Sequence, residues 1–143
     1  MFSFSRRRNY FIEDEKQRIV EAIRHAEKQT SGEVRVFVES RCRYVDPLDR
    51  AAEVFWGLQM DRTAARNGVL VYVAMRDHQY AVFADDGIHK KAGEEFWRKE
   101  VENMRHHFLE SRYGEAIASV VEDIGNALRE HFPYENANDK NEL

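Results

Sequence analysis

Proline, cysteine and long apolar stretches are all scarce in this chain of 143 residues. The single cysteine, Cys42, excludes an internal disulfide and a metal site built on thiolates. No apolar run approaches the ~18 residues that a membrane span needs, so no transmembrane segment is expected. The two prolines, Pro47 and Pro133, fall between elements or after them. Basic excess is also missing: the net charge is -4, which gives no electrostatic case for nucleic acid. The first residues lack the order of a signal peptide, because Arg6-Arg7-Arg8 follow a scrap of apolar residues instead of preceding one. The expected compartment is therefore the cytoplasm. What remains is ordinary for a globular chain, 34% charged and 43% hydrophobic, and long enough for one cored domain. That domain is expected over residues 10–134, between a flexible N-terminus (1–9) and a flexible, acid-rich tail (135–143).

Helical spacing of Ile12, Ile19, Ile23 and Ala26 predicts an amphipathic helix ending at Thr30-Ser31-Gly32. Val34 to Ser40 then reads as a strand. Asp46 or Asp49 caps a second helix to about Ala65, with Ala52, Phe55, Trp56 and Met60 inward. Val69 to Ala74 is nearly all apolar, as a strand covered on both faces should be. Only Arg76-Asp77-His78-Gln79 separate it from the run Tyr80 to Ala84, too few for a parallel crossover, so these two strands form a hairpin. A third helical region carries Phe96 or Trp97, Val101, Met104 and Phe108 and breaks at Tyr113-Gly114. A fourth helix carries Ile117, Val120, Val121, Ile124 and Leu128. Residues 41–45 are the place to look for a fourth short strand. Together these predict an α/β class fold with helices on both faces of a small mixed sheet.

The hairpin has a functional corollary. With the first two strands parallel, Thr30-Ser31-Gly32-Glu33, Arg66-Asn67-Gly68 and Asp85-Asp86-Gly87 meet at one edge of the sheet. Carboxylates beside glycine turns offer a hard divalent cation, Mg²⁺ or Ca²⁺, the oxygen ligands it prefers. The candidate ligands are Asp85 and Asp86, then Glu33, with the Asn67 amide in support. Arg66 and Thr30 are the candidates for contact with a phosphate or a partner. The plainer alternative makes Asp85 the cap of the next helix and pairs Glu33 with Arg66. His106 and His107 point to different helix faces, and His78 lies at the opposite edge, which leaves zinc without ligands. No nucleophile has a histidine base beside it. A hydrolase would therefore work through metal-activated water on the acids, with Arg66 steadying a phosphate. An exposed Trp56 or Trp97 would mark a partner surface.

Thr30-Ser31-Gly32-Glu33-Val34, Arg66-Asn67-Gly68-Val69-Leu70 and Asp85-Asp86-Gly87-Ile88, in that order, resemble the three motifs of the TPM-domain family. The closing stretch, Phe108 through Tyr113-Gly114-Glu115-Ala116-Ile117, is similar to the family's final helix pair. The tail Phe132-Pro133-Tyr134 and Asn141-Glu142-Leu143 resembles short bacterial members without signal peptide or anchor. The resemblance implies a three-layer α/β/α sandwich with a Rossmann-like sheet of three to four strands. It also implies divalent cation binding, and roles that range from weak phosphatase activity to receptor accessory. The chain departs from the family at Asp85, where a glycine is usual. The function expected from this is a cation-binding interaction or regulatory module with a protein partner. The alternative is a metal-dependent phosphatase of low specificity on the same residues.

Overall fold

The computed structural model describes residues 2–4 and 10–134. In chain order the elements are β1 (Phe2–Phe4), α1 (Glu13–Gln29), β2 (Glu33–Glu39), α2 (Pro47–Gly57), a 3₁₀ turn (Met60–Arg62), β3 (Gly68–Ala74), β4 (Gln79–Ala84), α3 (Asp86–Ala92), α4 (Glu94–Leu109) and α5 (Tyr113–His131). The strands form one mixed sheet in the order β1-β2-β3-β4. β2 and β3 are parallel, with Glu33 opposite Gly68, and β4 returns antiparallel with Ala84 opposite Val69. The hairpin and the meeting of the three turns are as the sequence implies.

All seven residues of β3 are buried because both faces of the sheet are covered. On one face Val34, Val36, Val69, Val71 and Val82 pack with Ile19 and Ile23 of α1, Trp97 and Met104 of α4, and Ile117, Val121 and Ile124 of α5. On the other, Leu70, Tyr72, Ala74 and Ala81 meet Ala51, Val54 and Phe55 of α2 and Met60 after it. The result is three layers. The first and last helices close the larger face, and a side chain at Gly125 of α5 would bring its Cβ within 2.7 Å of the Ala26 Cβ of α1. Thr30 and Pro133 form a β-bridge at the end of that pair.

Several boundaries differ from the sequence reading. The fourth strand is Phe2–Phe4, laid parallel on the free edge of β2, and not residues 41–45. Those three residues belong to the stretch expected to be a flexible terminus. Arg6 to Arg8 and the tail from residue 135 lie outside the described residues. Residues 41–45 instead loop toward α2, held where the Cys42 N–H donates to Asp77 Oδ2 at 2.9 Å. α2 stops at Gly57, and Gln59 takes a left-handed φ of 60° before the 3₁₀ turn. The third helical region is two helices, split by Gly93 at φ 90°, a conformation that disfavours other residues. Tyr113-Gly114 opens α5 instead of breaking a helix, and the break comes at Ser111 with φ 58°. Ile12 and Trp56, both placed inward by helical spacing, are 67% and 47% exposed.

Candidate functional site

The three turns do lie side by side. The Glu33 N–H donates to the Asn67 carbonyl at 3.4 Å and the Asp85 N–H to the Gly68 carbonyl at 2.9 Å, which ties β2, β3 and β4 together at this edge. Gly87 is forced by closeness: a Cβ there would run into the carbonyl oxygen of Ala65 and come within 2.6 Å of that of Arg66.

The side chains are arranged differently from their backbones. Asp85 is 3% exposed. Its two carboxylate oxygens accept Nε and Nη2 of Arg66 at 2.7 and 2.8 Å, and one also accepts the Asp86 N–H at 2.8 Å. It is thus the N-cap of α3, as the plainer alternative had it, and its charge lies beside the positive helix end. The carboxylate in turn holds the Arg66 guanidinium above its ordinary pKa, chiefly through the hydrogen bond. Glu33 pairs with Nε of Arg35 at 2.8 Å, not with Arg66. Two strand spacings, roughly 10 Å, separate the backbone of Glu33 from that of Asp85. Among the described residues no three His, Cys, Asp or Glu side chains group as a metal would require. Glu33, Asp85 and Asp86 therefore share an edge without forming one carboxylate cluster.

Thr30 is buried, and its hydroxyl donates toward the Leu128 and Phe132 carbonyls while accepting the Gly32 N–H. It fastens the end of α5 to the first turn and faces no open space. Asn67 is 1% exposed; its N–H donates to Thr63 Oγ1 at 3.0 Å and its Nδ2 to Ser31 Oγ at 3.3 Å. Its Oδ1 is buried without a partner, an unusual cost for a native fold. Asp86, which follows Asp85 in the third turn, is exposed.

A second polar centre, at the opposite end of the sheet, escaped the sequence reading. Glu39 ends β2, 8% exposed, and accepts Nε and Nη2 of Arg50 at 2.9 Å each. The Tyr72 hydroxyl of β3 donates to the same carboxylate, and Nη1 of Arg50 reaches Glu53 at 2.7 Å. Burial and the hydrogen bond to Glu39 push the Tyr72 hydroxyl far above its usual pKa. An open cavity of about 650 Å³ lies there, lined by Glu39, Arg50 and Glu53 with Arg41, Arg43 and Tyr44. The members of this centre lie 11 and 33 positions apart on three elements, so no local signal in the sequence joins them. A third buried acid, Glu100 of α4, is 3% exposed with Oε1 unpartnered, and burial first, then Asp123 of α5, push its pKa up to about 8.

With this geometry in hand, likeness to known proteins is informative. The family model described as TPM domain matches residues 5–127. The chain is similar to the NMR structure of the BA42 protein of the psychrophilic bacterium Bizionia argentinensis, with a TM-score of 0.80 and 36% identity over 91% of this chain and 89% of that one. It shares its fold with the N-terminal domain of the cg2496 protein of Corynebacterium glutamicum, at TM-score 0.69 and 11% identity, over 89% of this chain and 78% of that one. The same holds for an N-terminal domain from P. gingivalis, at TM-score 0.69 and 16% identity, over 93% and 86%. Among curated proteins no relative matches. The chain belongs to the TPM-domain family.

Proposed function

We propose that this TPM domain is an interaction or regulatory module that takes a divalent cation, Mg²⁺ or Ca²⁺, at the turn edge. The observation that carries the reading is the buried, unpartnered Oδ1 of Asn67, set where the three turns converge. A carbonyl-type oxygen without a donor is a ready ligand for a hard cation. Asp86, exposed on the same edge, supplies a carboxylate, and Asp85 lies next to it. Mg²⁺ keeps several waters and takes only one or two carboxylates, so a third acid is not required. Glu33, turned to Arg35, is left out of the ligand set.

A phosphatase on the same residues is the weaker reading. It needs Arg66 to steady a phosphate oxygen, and two of that guanidinium's nitrogens are already spent on Asp85. The test is an amide NMR titration with MgCl₂ and with CaCl₂. Saturable shifts confined to residues 30–34, 66–68 and 85–88, and lost in Asp86→Asn, are expected. Shifts scattered over exposed acids would end the proposal. Cation-dependent turnover of a generic phosphomonoester that disappears in Asp85→Ala would replace it with the phosphatase.

A further inference from the structure

We propose that the outer edge of β4 takes up one extended, basic peptide segment as an added strand. This deepens the interaction half of the function proposed above and rests on that reading.

β4 is the last strand of the sheet, and among the described residues nothing pairs with its far side. Its register fixes which groups are available. The Asp85 N–H turns inward to Gly68, so alternation turns Ala81 and Phe83 inward as well and leaves the N–H and C=O groups of Tyr80, Val82 and Ala84 facing away from β3. An open strand edge of this kind is a template for another chain.

The edge is recessed, not flat. A groove of about 580 Å³ runs along it between the start of α2 and the face of α4. Val82 and Ala84 at its floor are only 8% and 9% exposed. Apolar side chains line both walls, with Leu48 and Phe83 on one and Trp97 and Val101 on the other. Exposed hydrophobic residues gather on the same flank. Leu48 and Trp56 are 44% and 47% exposed, and the Trp56 ring contacts Phe83 edge-on. The depth selects the occupant. A second copy would bring its own α2 and α4 against these walls, whereas a lone strand fits between them.

Charge selects its composition. Within the groove Arg98 is turned to Glu95, and Glu102 to Arg105. Asp46 and Glu94 remain as the acids of the rim, with only His89 near Glu94, at 3.8 Å. The fitting partner alternates apolar residues with lysine or arginine. Its backbone supplies the affinity and its side chains the choice.

The experiment uses the whole chain and two synthetic probes, acetyl-Lys-Val-Lys-Val-Lys-Val-amide and its Glu-Val counterpart, read by amide hydrogen exchange. Without peptide, Ala81 and Phe83 exchange slowly and Tyr80, Val82 and Ala84 fast. With the Lys-Val peptide at about 1 mM, exchange at the latter three slows about tenfold or more. Val82→Pro deletes an outward N–H, spares the β3 ladder and abolishes the effect. Should that variant misfold, Glu94→Lys combined with Asp46→Asn, which keeps a capping side chain, shifts preference to the Glu-Val peptide. Unchanged exchange with the Lys-Val peptide overturns the proposal, and so does equal protection by both peptides. Protection that rises with protein concentration alone would assign the edge to a second copy instead. Cation shifts at 30–34, 66–68 and 85–88 are read separately, so either proposal can fail without the other.

Discussion

Two arginine–carboxylate clamps sit at opposite ends of the sheet, and they are nearly the same in geometry. In each, Nε and Nη2 of an arginine grip a buried acid, Arg66 on Asp85 and Arg50 on Glu39. They differ in access to water. The Arg66 side chain is 44% exposed, whereas that of Arg50 is 25% exposed and its acid also serves the wholly buried Tyr72 hydroxyl. Break the first clamp, and the guanidinium returns to solvent. Break the second, and a phenol is stranded in the core. Like contacts are unequal in worth when the groups they release have different places to go.

Four measurements can break or sharpen that contrast, all by chemical denaturation. The largest effect is expected from Gly87→Ala, which leaves both clamps chemically intact but forces the turn off the Ala65 carbonyl, at a cost of roughly 4 kcal/mol. Next, Glu39→Ala removes the shared acceptor of Tyr72 and Arg50 and costs roughly 3 kcal/mol; a loss no greater than that of the matched change at the other clamp would void the contrast.

Glu100→Gln concerns a buried acid with no arginine. Between about 4.5 and about 8 the folded chain keeps a proton on Glu100 that the unfolded chain has lost, so stability falls as the pH rises through that window. The glutamine removes that fall, raising stability by roughly 2–3 kcal/mol at pH 9 and by nothing at pH 4. A variant with the parental pH profile would show that folding leaves the proton affinity of Glu100 unchanged. The smallest change is Asp85→Ala, about 1–2 kcal/mol from the lost α3 cap, with a loss matching Glu39→Ala counting against the role given to water.

These residues also separate what was legible in the sequence from what was not. Short glycine turns before apolar runs and a four-residue hairpin link dictate strand direction, so the meeting of residues 30–33, 66–68 and 85–87 could be read directly. The apolar stripe of α5 was equally plain, since all five of its named residues are buried. Partner choice was not legible: Glu33, Asp85 and Asp86 are equivalent as letters, and only side-chain direction gives Arg66 to Asp85 and Arg35 to Glu33. Gly93 was missed because helical spacing runs on from Ile88 to Trp97 and beyond, and one glycine is a weak breaker. Phe2–Phe4 is too short to show alternation. The Glu39–Arg50–Tyr72 centre joins residues 11 and 33 positions apart on three elements, and no local pattern encodes that.

The pairing of α1 with α5 carries a consequence for how the chain reaches this state. While α5 is still inside the ribosome, Ile19, Ile23 and Ala26 lack their partner helix, and the larger face of the sheet is covered only in part, by α1 and α4. Closure depends on contacts spanning about a hundred positions, such as Thr30 with Pro133, and so comes late and slowly. Until α5 joins α1 and α4, apolar surface stays exposed, the kind of surface that invites aggregation before folding is complete.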